Sequence, residues 1–443
     1  MLRKISLSAV AVSMFASLVS AEVNFDGGKN LNIKEEIANA GVSAPEPVQD
    51  KSGVFDWFFG SKPTTDPKAG AEWTIMFFEN AKNDLEPYLM KDVNEMEMIG
   101  STDKVNLVAQ IGRIDGYDTS DGDWKGVRRY LITKDNDTTK MGSKMLQDLG
   151  QSDMGDYKTL AEFGKWAMKA YPAKHYMLVV SNHGAGWTKS GERIITKGIS
   201  YDEQSGNHIN TPQLGLALKE LGKIDVLGTD ACLMQMAEVD YEIKDYVTYI
   251  VGSEETEPGD GYTYNDLLGP LVKKPTMSGA ELAKLTVDAY SDHYAAQKTG
   301  STQSYVLSAS VPRLLTLTNK FSADMMASGD KALAKSARDG AVKFAMDENK
   351  DLGDFLRLVL AGTKSEAVKT SGQALLTFIT GELVAHNRTN NDPGGYWNGP
   401  VDYSPAKGIA AYFPNYTLGD GYADLQWAKV SQWDEFVTWI NQP

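Results

Sequence analysis

The chain has 443 residues, of which 42% are hydrophobic, enough to bury one large core or two modest ones, and this excludes a disordered acidic polymer. Its 44 basic residues against 59 acidic ones leave a net charge of −15, a field that repels nucleic acid and anionic lipid headgroups, favours cationic ligands and also serves plain solubility. The single cysteine, Cys232, excludes an intramolecular disulfide and leaves three roles: a buried small hydrophobe, an intermolecular link or a working thiol.

Residues 1–21 read as a cleaved secretory signal. Arg3 and Lys4 precede an apolar stretch too short to span a bilayer comfortably, and Val19-Ser20-Ala21 precede Glu22. A permanent N-terminal anchor is the weaker alternative, because no stop-transfer charge cluster follows, and no cysteine near the cut offers a lipid attachment. Nothing later reaches membrane-spanning length, so the mature chain is expected to be exported, periplasmic or extracellular, with no stable membrane insertion. Residues 22–70, with the breakers SAPEPVQDKSG and SKPTTDPKAG, read as a leader, linker or pro-segment.

From Glu72 the pattern changes. EWTIMFF is a buried-strand run, LEPYLMKDVNEMEMIG has helical spacing, KVNLVAQIGR is a second strand and KGVRRYLITKD a third, fit to pair as a hairpin arm. DYKTLAEFGKWAMKAYP is helical, and HYMLVVSNHG is a strand too apolar to have one wet face. NTPQLGLALKEL is a helix that Asn210 or Thr211 can cap. IDVLGTDACLM reads as a buried strand running straight into the helical QMAEVDYEIKD, and VTYIVGSEET as one more strand. Buried strands alternating with helices predict an α/β fold, an α/β/α sandwich with a mainly parallel sheet over 71–275. Residues 276–443 read as a mostly helical C-terminal part, with QSYVLSASV and GIAAYFP as returning strands, the latter at about 408–414.

In an open parallel sheet the carboxyl ends of the strands share one edge, where ligands bind. His183 lies just past one buried strand and Cys232 just past the next. If those strands are neighbours, about 5 Å apart, imidazole and thiol face each other across the crevice. A thiol is mostly protonated at neutral pH, and a nearby imidazole is the usual means of activating it. Gly184 and Gly186 let backbone approach a substrate, and the N–H of Gly184 can point at a developing oxyanion. Cys232 reads as the start of a helix, whose positive end favours a thiolate.

The stretches DYKTLAEFGKWAMKAYPAKHYMLVVSNHGAGW, VLGTDACLMQMAEV, GSEETEPGDGY and GIAAYFP resemble the clostripain-like cysteine peptidases, relatives of caspases, gingipains and legumain. The similarity runs from about Glu72 to Asp266 and returns near Gly408; the caspase signature Q-A-C-R-G is absent. The resemblance implies the caspase-like fold, catalysis by His183 and Cys232 through an acyl-enzyme, and recognition of a basic P1 side chain by Asp230. It also implies a second acidic residue from EETEPGDGY, taken as Asp260. An acidic pocket pairs best with Arg or Lys, so the substrates are expected to be peptides and proteins cut after these residues. Asp230 could instead cap a helix starting at Cys232, Asp260 could be a turn residue, and Trp187 is read either as a pocket lid or as packing.

No cofactor is needed for this chemistry. The resemblance implies calcium dependence in some members; YDEQSGNH and KDNDTTK carry oxygen donors without the twelve-residue calcium-loop pattern, so no metal ligands are assigned. His175, His208, His293 and His386 join no motif. Lys189, Arg193 and Lys197, between His183 and Cys232, or the leader, are expected sites of self-cleavage. Two other classes remain open: a non-catalytic protein of this fold holding cationic peptides, and a thiol-dependent amidase or acyltransferase without the basic preference.

Overall fold

The computed structural model describes residues 70–187, 198–394 and 399–443. The signal read at 1–21, the leader up to residue 69 and the basic residues Lys189, Arg193 and Lys197 lie outside the described residues.

In chain order β1 (Ala71–Ala81) leads through α1 (Glu86–Ile99) to β2 (Val105–Arg113), and β3 (Gly126–Leu131) and β4 (Met145–Asp148) follow. Next come α2 (Tyr157–Ala170), β5 (Ala173–Ser181), the short pair β6 (Ile199–Asp202) and β7 (Asn207–Ile209), α3 (Thr211–Leu221) and β8 (Ile224–Asp230). The run continues with α4 (Ala237–Ile243), β9 (Val247–Gly252), α5 (Tyr264–Lys273), α6 (Gly279–Gln297) and β10 (Ser301–Leu307). The C-terminal part holds α7 (Val311–Ser328), α8 (Lys331–Gly340), β11 (Asn349–Asp351), α9 (Leu352–Gly362), α10 (Glu366–Phe378), β12 (Val384–Asn390), β13 (Ala410–Tyr412), α11 (Gln426–Val430) and α12 (Trp433–Asn441).

Nine strands form one sheet in the order β12-β10-β9-β8-β5-β1-β2-β3-β4. The five central strands, β9 to β2, are parallel, and both flanks are antiparallel. Successive side chains leave a strand on opposite faces, and both faces are covered. Trp73, Ile75 and Phe77 of β1 pack with α1, α5 and α6, while Met76 and Phe78 pack with α2, α3 and the C-terminal helices. This is why the central strands read as unbroken apolar runs. Asn210 caps α3 by accepting the N–H of Gln213, whose side chain returns to the Asn210 N–H.

The sheet crosses residue 275: β10 and β12 extend its edge. The strand read at 408–414 is β13, which pairs with β11 in a separate two-stranded sheet and touches Met236 through a parallel bridge. From β1 the chain leaves through α1 on one face, and from β5 through α3 on the other. The β1–β5 boundary is therefore the point where connections diverge and a crevice opens beyond the strand ends.

Glu238 of α4 fastens the C-terminal part. Its Oε1 accepts the N–H of Tyr412 at 3.0 Å and the hydroxyl of Tyr422 at 2.9 Å, while its buried Oε2 has no hydrogen-bond partner among the described residues. Burial pushes this carboxyl from its ordinary 4.5 up to about 7, against those two hydrogen bonds. The folded state therefore binds a proton that the unfolded chain has lost, and this contribution fades as pH rises from 4.5 through 7. Glu238→Gln keeps the acceptor and removes the charge. Urea unfolding should show it more stable than the parent at pH 8, by up to about 3 kcal/mol, with no difference near pH 4.

Candidate active site

β5 and β8 are neighbours, in register from Met177 opposite Val226 to Ser181 opposite Asp230. His183 and Cys232 therefore follow adjacent strand ends. The loops that carry them touch: a Cβ on Gly184 would strike the carbonyl oxygen and nitrogen of Cys232, and one on Gly186, at φ +52°, would strike the Leu233 carbonyl. Only glycine allows this approach. The His183 loop is also tied to β6, by the Ala185 N–H to the Gly198 carbonyl at 2.9 Å and the Ser200 N–H to the His183 carbonyl at 3.3 Å.

Cys232 does not begin a helix. It sits in a sharp turn, and α4 starts only at Ala237 with Met236 at its cap, so Cys232 is not at that helix start and Asp230 does not cap it. Leu233 holds a left-handed φ of +64°, and the turn is pinned from Leu233 N–H to the Glu255 carbonyl at 3.1 Å and from Gln235 N–H to the Ser253 carbonyl at 3.0 Å. The apolar spacing of CLMQMAEV looked helical, but pairing with the loop after β9 takes the backbone groups that a helix would use. Sγ accepts the N–H of Glu257 at 3.3 Å. Burial pushes the thiol up to about 12; the Glu257 N–H pulls it down, and the Glu257 and Glu255 carboxylates push the same way as burial.

The imidazole has a partner that sequence patterns did not reveal. His183 Nε2 lies 2.6 Å from Oδ1 of Asp84, in the loop after β1. The hydrogen bond to His183 holds the Asp84 carboxyl below its ordinary value, against partial burial. Asp84 follows a third strand end on the same edge, across the β1–β5 divide, and only the strand order makes that visible.

Asp230 is buried beneath the turn. Oδ1 accepts the N–H of Tyr262 at 3.0 Å and Oδ2 the hydroxyl of Tyr264 at 2.6 Å, and Gly261 closes over it. The Glu257 carboxyl lies in contact with it and also receives the Gln303 amide at 3.2 Å. Burial raises both acids; the contact between them raises Glu257 further and pulls Asp230 down. Asp92 and Glu79 are raised by burial and by the Asp230 charge, and burial takes Glu95 to about 6. Glu79 Oε1 accepts the Ser181 hydroxyl at 2.9 Å. Among the described residues, no Lys or Arg stands among the main groups that shift either Asp230 or Glu257.

Asp260 is further out. Its half-exposed carboxylate pairs with Lys91 at 2.9 Å, so its charge is already matched. Trp187 is buried, its ring edge-on to Tyr422 at 5.6 Å and its backbone N–H 3.4 Å from the Met236 sulfur. The other histidines are elsewhere: His175 on Asp225, His208 stacked on Tyr201, His293 on Gln297 and His386 on Asp288. Among the described residues no three His, Cys, Asp or Glu side chains are grouped to hold a metal ion, and Asp202 of YDEQSGNH is engaged by Lys82 at 3.2 Å.

A parallel sheet with a thiol and an imidazole at neighbouring strand ends is a caspase-like arrangement. The chain belongs to the clostripain family, peptidase family C11, whose model matches residues 77–378. Clostripain of Hathewaya histolytica is 25% identical over 215 residues, 44% of this chain and 41% of that protein, so the match spans under half of the relative's length. Three solved structures share the fold. A secreted C11 cysteine protease from Bacteroides thetaiotaomicron with an irreversible peptide inhibitor is 19% identical with a TM-score of 0.59, over 82% of this chain and 100% of its own. An inactive zymogen C11 protease from Parabacteroides distasonis is 18% identical with a TM-score of 0.61, over 84% and 100%. A secreted C11 cysteine protease from Bacteroides thetaiotaomicron called iotapain is 15% identical with a TM-score of 0.63, over 82% and 99%.

Because the thiol lies far above neutral pH, its thiolate fraction should rise about tenfold per pH unit across the neutral range. Iodoacetamide labelling of the single cysteine, followed by mass spectrometry without substrate, should accelerate accordingly from pH 6 to 9. A plateau near pH 7 would show instead a preformed thiolate.

Proposed function

We propose that this protein is an exported cysteine endopeptidase that cuts after Arg or Lys, with Cys232 as nucleophile and His183 as general base and acid. The observation that carries this reading is the packing of the Gly184 loop on Cys232, which sets the imidazole loop and the thiol turn at one crevice.

His183 removes the thiol proton as Sγ bonds to the scissile carbonyl carbon, and the N–H of Gly184 stabilises the resulting oxyanion. The same proton passes to the departing amine as the C–N bond breaks, leaving a thioester. Water, deprotonated by His183, then attacks; the acid product leaves and sulfur regains its proton. A thiol raised by burial fits proton removal during attack rather than a standing thiolate.

The basic preference rests on Asp230 and Glu257. Among the described residues no Lys or Arg stands among the main groups that shift these two buried carboxyls, and a P1 guanidinium or ammonium would match them. Asp260, matched by Lys91, is the weaker contributor. Asp230→Asn should lower kcat/KM for Arg and Lys peptides by about a hundredfold or more while sparing thiol alkylation. A fluorogenic panel of Arg, Lys, Asp and Asn peptides, with Cys232→Ala as control, separates the alternatives. Turnover confined to Arg and Lys supports the peptidase; thiol-dependent turnover without that preference supports an amidase or acyltransferase; binding without turnover supports a binding protein.

Export is supported by the signal pattern of residues 1–21 and by relatives described as secreted; no helix among the described residues is long and apolar enough to cross a membrane. Self-cleavage in the stretch of Lys189, Arg193 and Lys197, or in the leader, accords with a relative described as an inactive zymogen. Parent protein purified beside Cys232→Ala should then show fragments that the variant lacks; identical full-length bands would exclude it.

A further inference from the structure

We infer that Asp84 is a positioning residue that holds His183 in the tautomer and orientation needed to work on Cys232, making the site a relay of three side chains from three adjacent strand ends. The inference rests on the Cys232–His183 reading and goes beyond it.

The geometry is specific. Asp84 Oδ1 and His183 Nε2 are 2.6 Å apart, a charge-assisted distance. A carboxylate held below its ordinary value is ionised at neutral pH and only accepts, so Nε2 must carry the hydrogen. In the neutral ring the lone pair is then on Nδ1, and Nδ1 is the nitrogen that takes the thiol proton. When it does so, the ring becomes cationic with a carboxylate already beside it.

The loop that presents Asp84 is built to hold it still. Asn83 donates to the Tyr201 carbonyl at 2.8 Å and accepts the Leu85 N–H at 3.0 Å. Lys82 pairs with Asp202 at 3.2 Å and donates to the Ser152 carbonyl at 2.6 Å. Asn182, next to His183, donates to the Asn80 carbonyl at 2.5 Å and accepts the Tyr201 N–H at 2.6 Å. These bonds lock the loops after β1 and β5 and the strand β6 to one another, so the carboxylate and the ring are fixed from both sides. The Asp84 side chain is itself 61% exposed, and its only hydrogen bond to another side chain among the described residues is to His183. Such a side chain contributes little to folding. What it does touch is the ring.

The test uses the full chain carrying Asp84→Ala and Asp84→Asn, each first shown to match the parent in thermal unfolding. Nitrogen-15 spectra of labelled histidine, with the His183 signals assigned by His183→Gln, should show the Nε2–H tautomer of the neutral ring in the parent. Asp84→Ala should give a mixture, and Asp84→Asn should keep the parent tautomer, because its amide oxygen accepts the same hydrogen. On the best peptide, Asp84→Ala should lower kcat about ten- to a hundredfold with KM within about twofold, and Asp84→Asn should recover part of that loss. An Nδ1–H tautomer in the parent, a kcat for Asp84→Ala within twofold of the parent, or an Asn variant no better than Ala overturns the inference. The underlying reading fails separately: it falls if Cys232→Ala keeps its turnover, whatever the histidine spectra show.

Discussion

The site depends on the missing side chain at residue 184. The His183 loop and the Cys232 turn lie so close that any Cβ there would enter the Cys232 peptide, and the approach can be relieved only by moving one of two pinned loops. On one side the loop is bonded to β6; on the other the turn is bonded to the segment after β9. The left-handed Leu233 is a strained conformation of the kind that survives only where its surroundings enforce it. Close packing of backbone on backbone is thus what turns two strand ends into one crevice.

Beneath that crevice the protein gathers acid. Asp230, Glu257, Asp92 and Glu79 are raised by burial, and the charge of Asp230 raises the other three further. Ionising them all would be costly in a low dielectric, and burial therefore favours their protonated forms. The tyrosines around it bond its oxygens without cancelling the charge. The same physics recurs at Glu238, where a buried acid attaches the C-terminal part.

Much of this was legible in the chain. The continuous apolar runs of β1, β5 and β8 admit only strands covered on both faces, and the positions of His183 and Cys232 just past two of them follow directly. Asp230, two residues before the thiol, needed the family resemblance as well. The helix read at Cys232 failed because apolar spacing does not record which backbone groups are already taken by a distant loop. EETEPGDGY has several acids close together, and nothing local says that Glu257 turns inward while Asp260 meets Lys91. Asp84 was missed for a similar reason: next to Asn83 and before Pro87 it looks like an ordinary loop residue.

The sequence by itself determined that strands and helices alternate, that the strands are buried on both faces, and that one thiol and one imidazole stand at strand ends, because burial and chain direction are properties of short stretches. Tertiary structure alone decided that β1 lies beside β5, that β10 and β12 extend the same sheet, and that Asp84 meets His183. Strand order is settled by contacts between residues about a hundred positions apart, and no local pattern carries that information.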